Sequence, residues 1–300
     1  METTSTQVTP IGEMYVFESD GNGFNTKTVF YDDGKEVVAF DAQFTEAAAE
    51  QAIDFLRAKT QNPIRYLVVT HPNPDKFNGI PAFRKVGAEV VMSNLSAGNM
   101  AGVHAYKKYY FVEMAKMFTD DTYPKLTEAD ITFEDTYEIA LENGGKIMLT
   151  ELKRSGVSTN QTIAHIMTAD VLVVGDLVHH RAHAWLEGPI VNGAASYVGE
   201  NWINTLKTLE EMYAGSVSVY GGRGEIGALS DVVPQQIAYL QKAERITRDY
   251  VDTLEGATLA EKKANVDYAR LQKIFEEAFP GYGLGYMILY GAYGIVGGLK

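Results

Sequence analysis

The chain has 300 residues, 46% of them hydrophobic and 22% charged, with 26 lysines and arginines against 39 aspartates and glutamates. These fractions are ordinary for a globular protein and exclude disordered and fibrous classes. A net charge of −13 opposes binding to nucleic acid or to an anionic membrane surface, and the lack of cysteine removes disulfides, thiolate metal ligands and a cysteine nucleophile together.

Met1-Glu2-Thr3-Thr4-Ser5-Thr6 has neither a basic n-region nor an apolar h-region, so no signal peptide is expected. The compartment stays open between the cytoplasm and the periplasm, where a mature chain would look the same. Met14 to Glu18, Lys27 to Tyr31 and Glu36 to Phe40 read as antiparallel strands. The last two are joined through Asp32-Asp33-Gly34, whose glycine supplies the positive φ of a tight hairpin. Thr45 caps a helix with Ala48, Ala52, Phe55 and Leu56 at helical spacing. Ile64 to Val69 is an apolar run of the kind found in buried central strands, and it ends in Thr70-His71. Ala88 to Met92 reads as a strand and Ala101 to Phe118 as a long helix. Asn143-Gly144-Gly145 marks a second hairpin before the strand Lys146 to Leu152. Two further strands, Ile163 to Ile166 and Val171 to Val174, precede a helix over Tyr197 to Tyr213. Val217 to Val219 forms a strand ending at Gly221-Gly222, and Pro234 to Ala278 is helical with a break near Gly256. Each half follows the same outline of strands, a helix, and a strand ending in a polar loop.

Four segments, in order, carry a resemblance. Thr70-His71-Pro72-Asn73-Pro74-Asp75-Lys76, followed by Phe77-Asn78-Gly79, resembles the Thr-His-x-His-x-Asp-His…Gly-Gly signature of the metallo-β-lactamase-fold hydrolases. Val38-Ala39-Phe40-Asp41-Ala42 resembles that family's strand ending in aspartate, and Val171-Leu172-Val173-Val174-Gly175-Asp176 its later strand ending in Gly-Asp. Val219-Tyr220-Gly221-Gly222-Arg223-Gly224 resembles its Pro-Gly-His-Gly segment. The resemblance implies a four-layered αβ/βα sandwich, placed over residues 1–250; residues 251–300 read from their own composition as a helical, Tyr/Gly-rich extension packed on the domain or a partner subunit.

The resemblance also implies a dinuclear zinc site, whose imidazole and carboxylate ligands lie about 2.0–2.2 Å from each metal. Here His71, Asp75 and Asp176 match ligand positions, but Asn73, Lys76 and Arg223 stand where histidines are expected. Counting back about nineteen residues from Asp176 puts Val157 at another. Lysine is ordinarily an ammonium ion and arginine stays protonated, so neither is a zinc ligand. The expectation is therefore a metal-depleted pocket in which Lys76 and Arg223 neutralise Asp75 and Asp176, a cluster that would also arise if these residues only hold a decayed site together.

His179, His180 and His183 follow the Gly-Asp strand end, where a loop at the site mouth would bring one or two of them, with Asn73, to a ligand. At least one of the three is expected in solvent. One relocated zinc on His71, Asp75, Asp176 and His183 is the alternative to no cofactor. His165 within a strand and His104 at a helix start read as structural. Tyr106, Tyr109 and Tyr110 read either as a pocket-lining helix or as core. Gly281 to Leu299 holds nineteen uncharged residues, seven of them glycine and four tyrosine. That composition suits packing over the domain, a homo-oligomer partner or the pocket better than a membrane span. The preferred reading is an atypical hydrolase-like enzyme acting on a small polar or anionic ester, lactone, amide or related carbonyl compound. His71, Lys76, Asp75, Asp176 and Arg223 would be its catalytic groups, with His71 as base if it faces the cavity. The other readings are a non-catalytic small-molecule-binding protein and the one-zinc hydrolase.

Overall fold

The computed structural model describes residues 12–300, so the segment Met1–Thr6, on which the signal-peptide reading rests, lies outside the described residues. The first half contributes β1 (Glu13–Glu18), β2 (Lys27–Asp32), β3 (Val37–Phe40), α1 (Glu46–Arg57), β4 (Ile64–Val68), α2 (Pro74–Phe77), α3 (Ile80–Lys85), β5 (Glu89–Ser93), α4 (Asn94–Tyr109) and β6 (Ile131–Phe133). Its six strands form one sheet in sequential order, antiparallel from β1 to β3 and parallel from β3 to β6. The second half contributes β7 (Thr136–Ala140), β8 (Lys146–Glu151), β9 (Thr162–Ile166), β10 (Val171–His180), β11 (Ile190–Val191), β12 (Ala194–Ala195), α5 (Gly199–Met212), β13 (Ser218–Gly224), β14 (Gly227–Ala228) and α6 (Leu229–Asp252). Six of these strands make a second sheet in the order β14-β13-β10-β9-β8-β7, with β10 and β13 parallel.

The layers follow from alternation along the strands, because successive side chains point to opposite faces. Val29, Tyr31, Val38 and Phe40 face inward and meet Ile147, Leu149, Ala164 and Val173 of the second sheet. Their neighbours Phe30, Val37 and Ala39 face outward onto Ala49, Ile53 and Leu56 of α1 and Phe83 of α3. On the far side, Ile163, Leu172, Val174 and Val219 pack against Trp202 and Leu206 of α5 and Leu240 of α6. The molecule is thus the αβ/βα sandwich expected from its sequence.

Local signals account for several boundaries. Thr45 accepts a hydrogen bond from the Ala48 amide and caps α1. Helix α4 starts at Asn94, earlier than the Ala101 expected, because the Ser93 hydroxyl accepts from the Ser96 amide and caps it. After Tyr109 the chain makes a π-helical turn over Tyr110–Met114. His104 therefore lies within α4, not at its start. Strand β10 runs ten residues instead of four, since its polar end is paired with β13 through His179–Arg223 and His180–Gly224.

The C-terminal region is helical: α7 (Leu259–Ala264), α8 (Tyr268–Ala278), α9 (Tyr286–Gly291) and α10 (Tyr293–Gly298). Ile288, Ala292, Ile295 and Val296 are buried in the same core as Trp202, Leu240 and Phe275. Among the described residues no helix is long and apolar enough to cross a membrane. Deleting residues 281–300 would uncover that apolar surface. The truncated chain is expected to aggregate or to lose its cooperative thermal transition, as read by light scattering and circular dichroism. An unchanged melting temperature and size would show that the tail contributes nothing to the core.

Candidate functional site

The C-terminal ends of the central strands of both sheets come together at one edge of the sandwich. Asp41 follows β3 with φ of +66°. Its carboxylate accepts from the Thr70 amide at 2.9 Å and from the Thr70 hydroxyl at 3.0 Å. His71 is next in the chain, Asp75 and Lys76 lie on the single turn of α2, and Asp176 and Arg223 lie on β10 and β13. Two glycines allow the close approach. A Cβ on Gly175, whose φ is +51°, would sit 2.2 Å from the Thr70 hydroxyl, and one on Gly222 would sit 1.9 Å from Asp176 Oδ1.

The charged groups form a closed lattice. Lys76 Nζ is 2.9 Å from Asp75 Oδ2, 2.9 Å from Asp176 Oδ1 and 3.9 Å from Asp41 Oδ2. Arg223 Nη2 is 2.9 Å from Asp75 Oδ2, and Nη1 is 2.6 Å from Asp176 Oδ2. The guanidinium also donates from Nε to the Phe24 carbonyl at 2.9 Å and from Nη2 to the Thr26 hydroxyl at 3.0 Å. The Thr26 hydroxyl, which donates to the Gly23 carbonyl at 2.8 Å, also lies 3.2 Å from Asp75 Oδ2. Both cations are buried.

Burial pushes the Asp75 carboxyl up, yet Lys76 and Arg223 outweigh it and hold the group at about 2. Burial is likewise overcome at Asp176, which Arg223 and Lys76 keep well below the usual carboxylate range. Lys76 is raised, because Asp176 and Asp75 more than offset its burial. Asp41, farther from the cations, is pushed up to about 7 by burial against the pull of Lys76 and Thr70.

Above the lattice lies a pocket enclosing about 380 Å³ of empty space, open solvent at its mouth included. Its floor is made by Asn73, Pro74, Asp75, Asp176 and Arg223, and its walls by Phe24, Phe44, Phe111 and Trp185, with Lys107 beside them. Lys107 is ion-paired with buried Glu187, which also accepts from the Trp185 indole N–H at 2.8 Å.

Five of the sequence-predicted residues, His71, Asp75, Lys76, Asp176 and Arg223, are thus brought together, and Asn73 is beside them. His71 does not line the cavity, so the condition on which its role as base rested is not met. Its ring is fully buried beneath the floor, Nδ1 shares a 2.9 Å hydrogen bond with the Thr70 hydroxyl, and Nε2 stops 3.8 Å short of Asp176 Oδ2. Burial lowers its pKa to about 4, against the opposing pull of Asp176, so it is neutral near pH 7. Lys76 is also fully buried and lines no part of the pocket.

The three later histidines are all buried, which corrects the expectation of a solvent-exposed loop at the site mouth. His179 is on β10 beside Asp176, its ring against Trp202 and both ring nitrogens unpartnered among the described residues. Burial lowers its pKa to about 3. His180 packs next to Gly227. His183 lies away from the lattice among Tyr239, Phe275, Phe279 and Tyr282, with Nδ1 3.2 Å from the Tyr239 hydroxyl. That position takes it out of a zinc set with His71, Asp75 and Asp176. Val157 is in the hydrophobic core around Trp202.

Tyr109 is 63% exposed and outside the pocket. Lys107 and Phe111 of the same segment line it instead, since residues four apart share a helical face and Tyr109 does not lie on theirs. Sequence reasoning missed Phe24, Phe44, Phe111 and Lys107 as pocket residues. Phe24, in the Asp20-Gly21-Asn22-Gly23-Phe24 turn, has φ of +60°, and no pattern in the sequence announces that it faces the strand ends.

The fold is shared with known proteins. The metallo-beta-lactamase superfamily profile matches residues 21–221, and the chain belongs to that superfamily. Among solved structures, a metallo-beta-lactamase from Pontibacter korlensis is similar over 79% of this chain and 97% of its own, at 18% identity and a TM-score of 0.57. The DIM-1 metallo-beta-lactamase is similar over 79% of this chain and 95% of its own, at 16% identity and a TM-score of 0.56. No curated protein sequence matches.

The superfamily typically binds zinc, and the donor set here does not fit a zinc pair. Between Asp75 and Asp176, where metal would have to sit, are an ammonium and a guanidinium, which carry no lone pair to offer. Among the described residues no group of three or more His, Asp or Glu side chains is placed to hold a metal ion.

Replacing Arg223 with Met would leave two buried carboxylates short of a partner. The expected loss is about 3–5 kcal/mol of stability in denaturant unfolding, not recovered by added zinc. An unchanged midpoint would mean that the lattice holds nothing together. A second prediction concerns pH. His183 is pushed down to about 4 by burial, against an opposing pull from Glu276, whereas an unfolded histidine titrates near 6.5. Between these values the unfolded chain binds more protons, so stability is full above about pH 6.5 and falls as the pH drops toward 4. His183→Phe is expected to flatten that decline by up to about 1.4 kcal/mol per pH unit. An identical slope in variant and parent would contradict the assignment.

Proposed function

We propose that this chain is a metal-independent member of its superfamily that binds a small molecule in the strand-end pocket. The molecule's apolar body would rest against Phe24, Phe44, Phe111 and Trp185, with a polar end at Asn73 and Asp75. The observation that carries this reading is the closed lattice. Lys76 and Arg223 neutralise Asp75 and Asp176 from within the protein, so the pocket keeps its polarity and shape without a metal. Aromatic walls around a few convergent polar groups are the usual make-up of a small-molecule site. The histidine that would supply a general base is buried behind the floor, which favours binding over catalysis.

Hydrolysis of a small ester, lactone or amide is the second reading, favoured by membership of the superfamily and by Asp75 and Arg223 together on the floor. In it, Asp75 would accept a proton from the attacking water while Arg223 donates to the carbonyl oxygen as charge develops there, and Asp75 would return that proton to the departing oxygen or nitrogen as its bond to the carbonyl carbon breaks.

Protein prepared with added zinc is expected to carry well under two equivalents after buffer exchange. Two tightly held zinc ions per chain, found by elemental analysis, would overturn metal independence. A panel of esters, lactones and amides divides the two readings. Saturable binding in calorimetry without turnover supports the first. Chelator-insensitive turnover that falls about a hundredfold in Asp75→Asn supports the second.

A further inference from the structure

The pocket as it stands is too tight for the body of a small organic molecule. Beyond the open solvent at its mouth, its room is that of about two or three water molecules. A cavity that takes up benzene measures about 150 Å³. A wall must therefore move before a molecule of that size enters, and most of the sides are tied down. The floor is locked by the charge lattice. Phe24 is held through its own carbonyl, which accepts from Arg223 Nε, and through the neighbouring Asn25 side chain, which accepts from the Tyr286 hydroxyl at 2.8 Å. Phe44 is 2% exposed beside the α1 cap, where the Gln43 carbonyl accepts from the Gly79 amide. Trp185 donates to Glu187 and lies against Gly291, where a Cβ would sit 3.3 Å from its ring.

Phe111 is the exception. It sits on the π-helical turn Tyr110–Met114, a rare geometry that is frequent at functional sites. From there to Ile131 the chain forms neither helix nor strand. Loops inside a compact domain that run beyond about 12–15 residues without such structure are usually functional or disordered. Among the described residues, no backbone hydrogen bond of 115–127 leaves the segment 110–127: Ala115 donates to Tyr110, Met117 and Phe118 to Phe111, and Thr122 and Tyr123 to Thr119. What holds the segment down is aromatic. Phe118 meets Phe44 at 5.7 Å and Tyr123 at 5.6 Å, and Phe111 meets Phe44 at 5.0 Å. The polar ties are a hydrogen bond from His104 Nε2 to the Pro124 carbonyl at 2.7 Å, a contact of Tyr123 with Asn78, and the exposed pair Lys108–Asp120 at 2.7 Å. Past the segment, Arg84 pins the chain again through the Glu128 carbonyl at 2.6 Å and Asp130 at 2.8 Å. Lifting residues 110–127 thus separates rings and weak surface ties but unpairs no backbone group shared with the rest of the fold.

We infer that residues 110–127 are a lid, closed over the strand-end pocket in this structure, which swings between the π-turn and the Arg84 anchor and takes Phe111 off the pocket to admit a ligand. This rests on the small-molecule reading above and adds how the site is entered. The charge lattice, Phe24 and Trp185 stay in place as the lid lifts, so the floor that a ligand meets is formed in advance.

The chain has no cysteine, so the lid can be fastened at one chosen point. Lys108→Cys with Asp120→Cys puts thiols at two exposed positions whose native side chains touch. A short bis-methanethiosulfonate joins them through disulfides that a reductant reopens. The probe is N-phenyl-1-naphthylamine, an uncharged dye that fluoresces in apolar surroundings, mixed with the full-length chain in stopped flow. The joined protein is expected to take up the dye at least about tenfold more slowly than the same protein after reduction. Phe118→Ala thins the aromatic seal and is expected to speed uptake about three- to tenfold. Asn73→Trp fills the floor end of the pocket and is expected to abolish uptake. Equal rates before and after reduction overturn the lid and leave the pocket reading standing, as does a rate unchanged by Phe118→Ala. Uptake untouched by Asn73→Trp, or no uptake by any form, overturns the pocket reading and the lid with it.

Discussion

Everything at the functional end of this protein depends on four buried charges that satisfy one another. Lys76 and Arg223 each touch both Asp75 and Asp176, so neither carboxylate relies on a single partner. Two carboxylates a few ångströms apart repel by several kcal/mol at a protein-like effective dielectric, and removal from water adds to the cost. The lattice also joins the halves of the sandwich. Lys76 and Asp75 follow a strand of the first sheet, Asp176 and Arg223 belong to the second, and Arg223 reaches back to the Phe24 carbonyl. The contacts that offset charge burial therefore also fix how the two halves meet at the strand ends.

Cations supplied by side chains differ from metal ions in what they leave open. A metal leaves coordination positions open to water or substrate, whereas a cation already saturated by carboxylates and carbonyls has few directions left in which to act. The polar groups with hydrogen-bonding capacity left at the pocket are one oxygen of Asp75, the amide of Asn73, one N–H of Arg223 and two of Lys107, beside the aromatic walls. The walls are supported from outside by packing: Phe24, Phe44, Phe111 and Tyr123 form their own buried cluster, with Phe118 and Trp185 against it. The pair Lys107–Glu187 fixes Trp185 through its indole N–H.

Much of the architecture was legible in the order of residues. The Thr45 cap, the Asp32-Asp33-Gly34 turn and the run Ile64 to Val69 are local signals, and the structure has a helix, a hairpin and a central strand there. The four segments around Asp41, His71, Asp176 and Arg223 were also readable, because strand ends in a parallel arrangement must meet at one edge. Less local features depart from the sequence expectation. Strand β10 continues through polar residues because β13 pairs with it, and this buries His179 and His180 that look like loop residues in the sequence. Helix α4 begins at Asn94, seven residues before Ala101, and the residues of this segment that reach the pocket are Lys107 and Phe111 and not Tyr109. A helical face is fixed by phase, and the phase was not determined by the tyrosines.

The sequence by itself determined which chemical groups stand at the strand ends. It placed ammonium and guanidinium groups at ligand positions of the superfamily, and their charge and lack of lone pairs follow from residue type alone. Only the tertiary structure decided how those groups are shared. Lys76 meets Asp176 across 100 positions of chain, and Arg223 meets Asp75 across 148. At such separations no local propensity specifies which oxygen receives which donor. That was settled by the packing of two sheets, which turned His71 beneath the floor, carried His183 into a distant aromatic core, and left one oxygen of Asp75 open to the pocket.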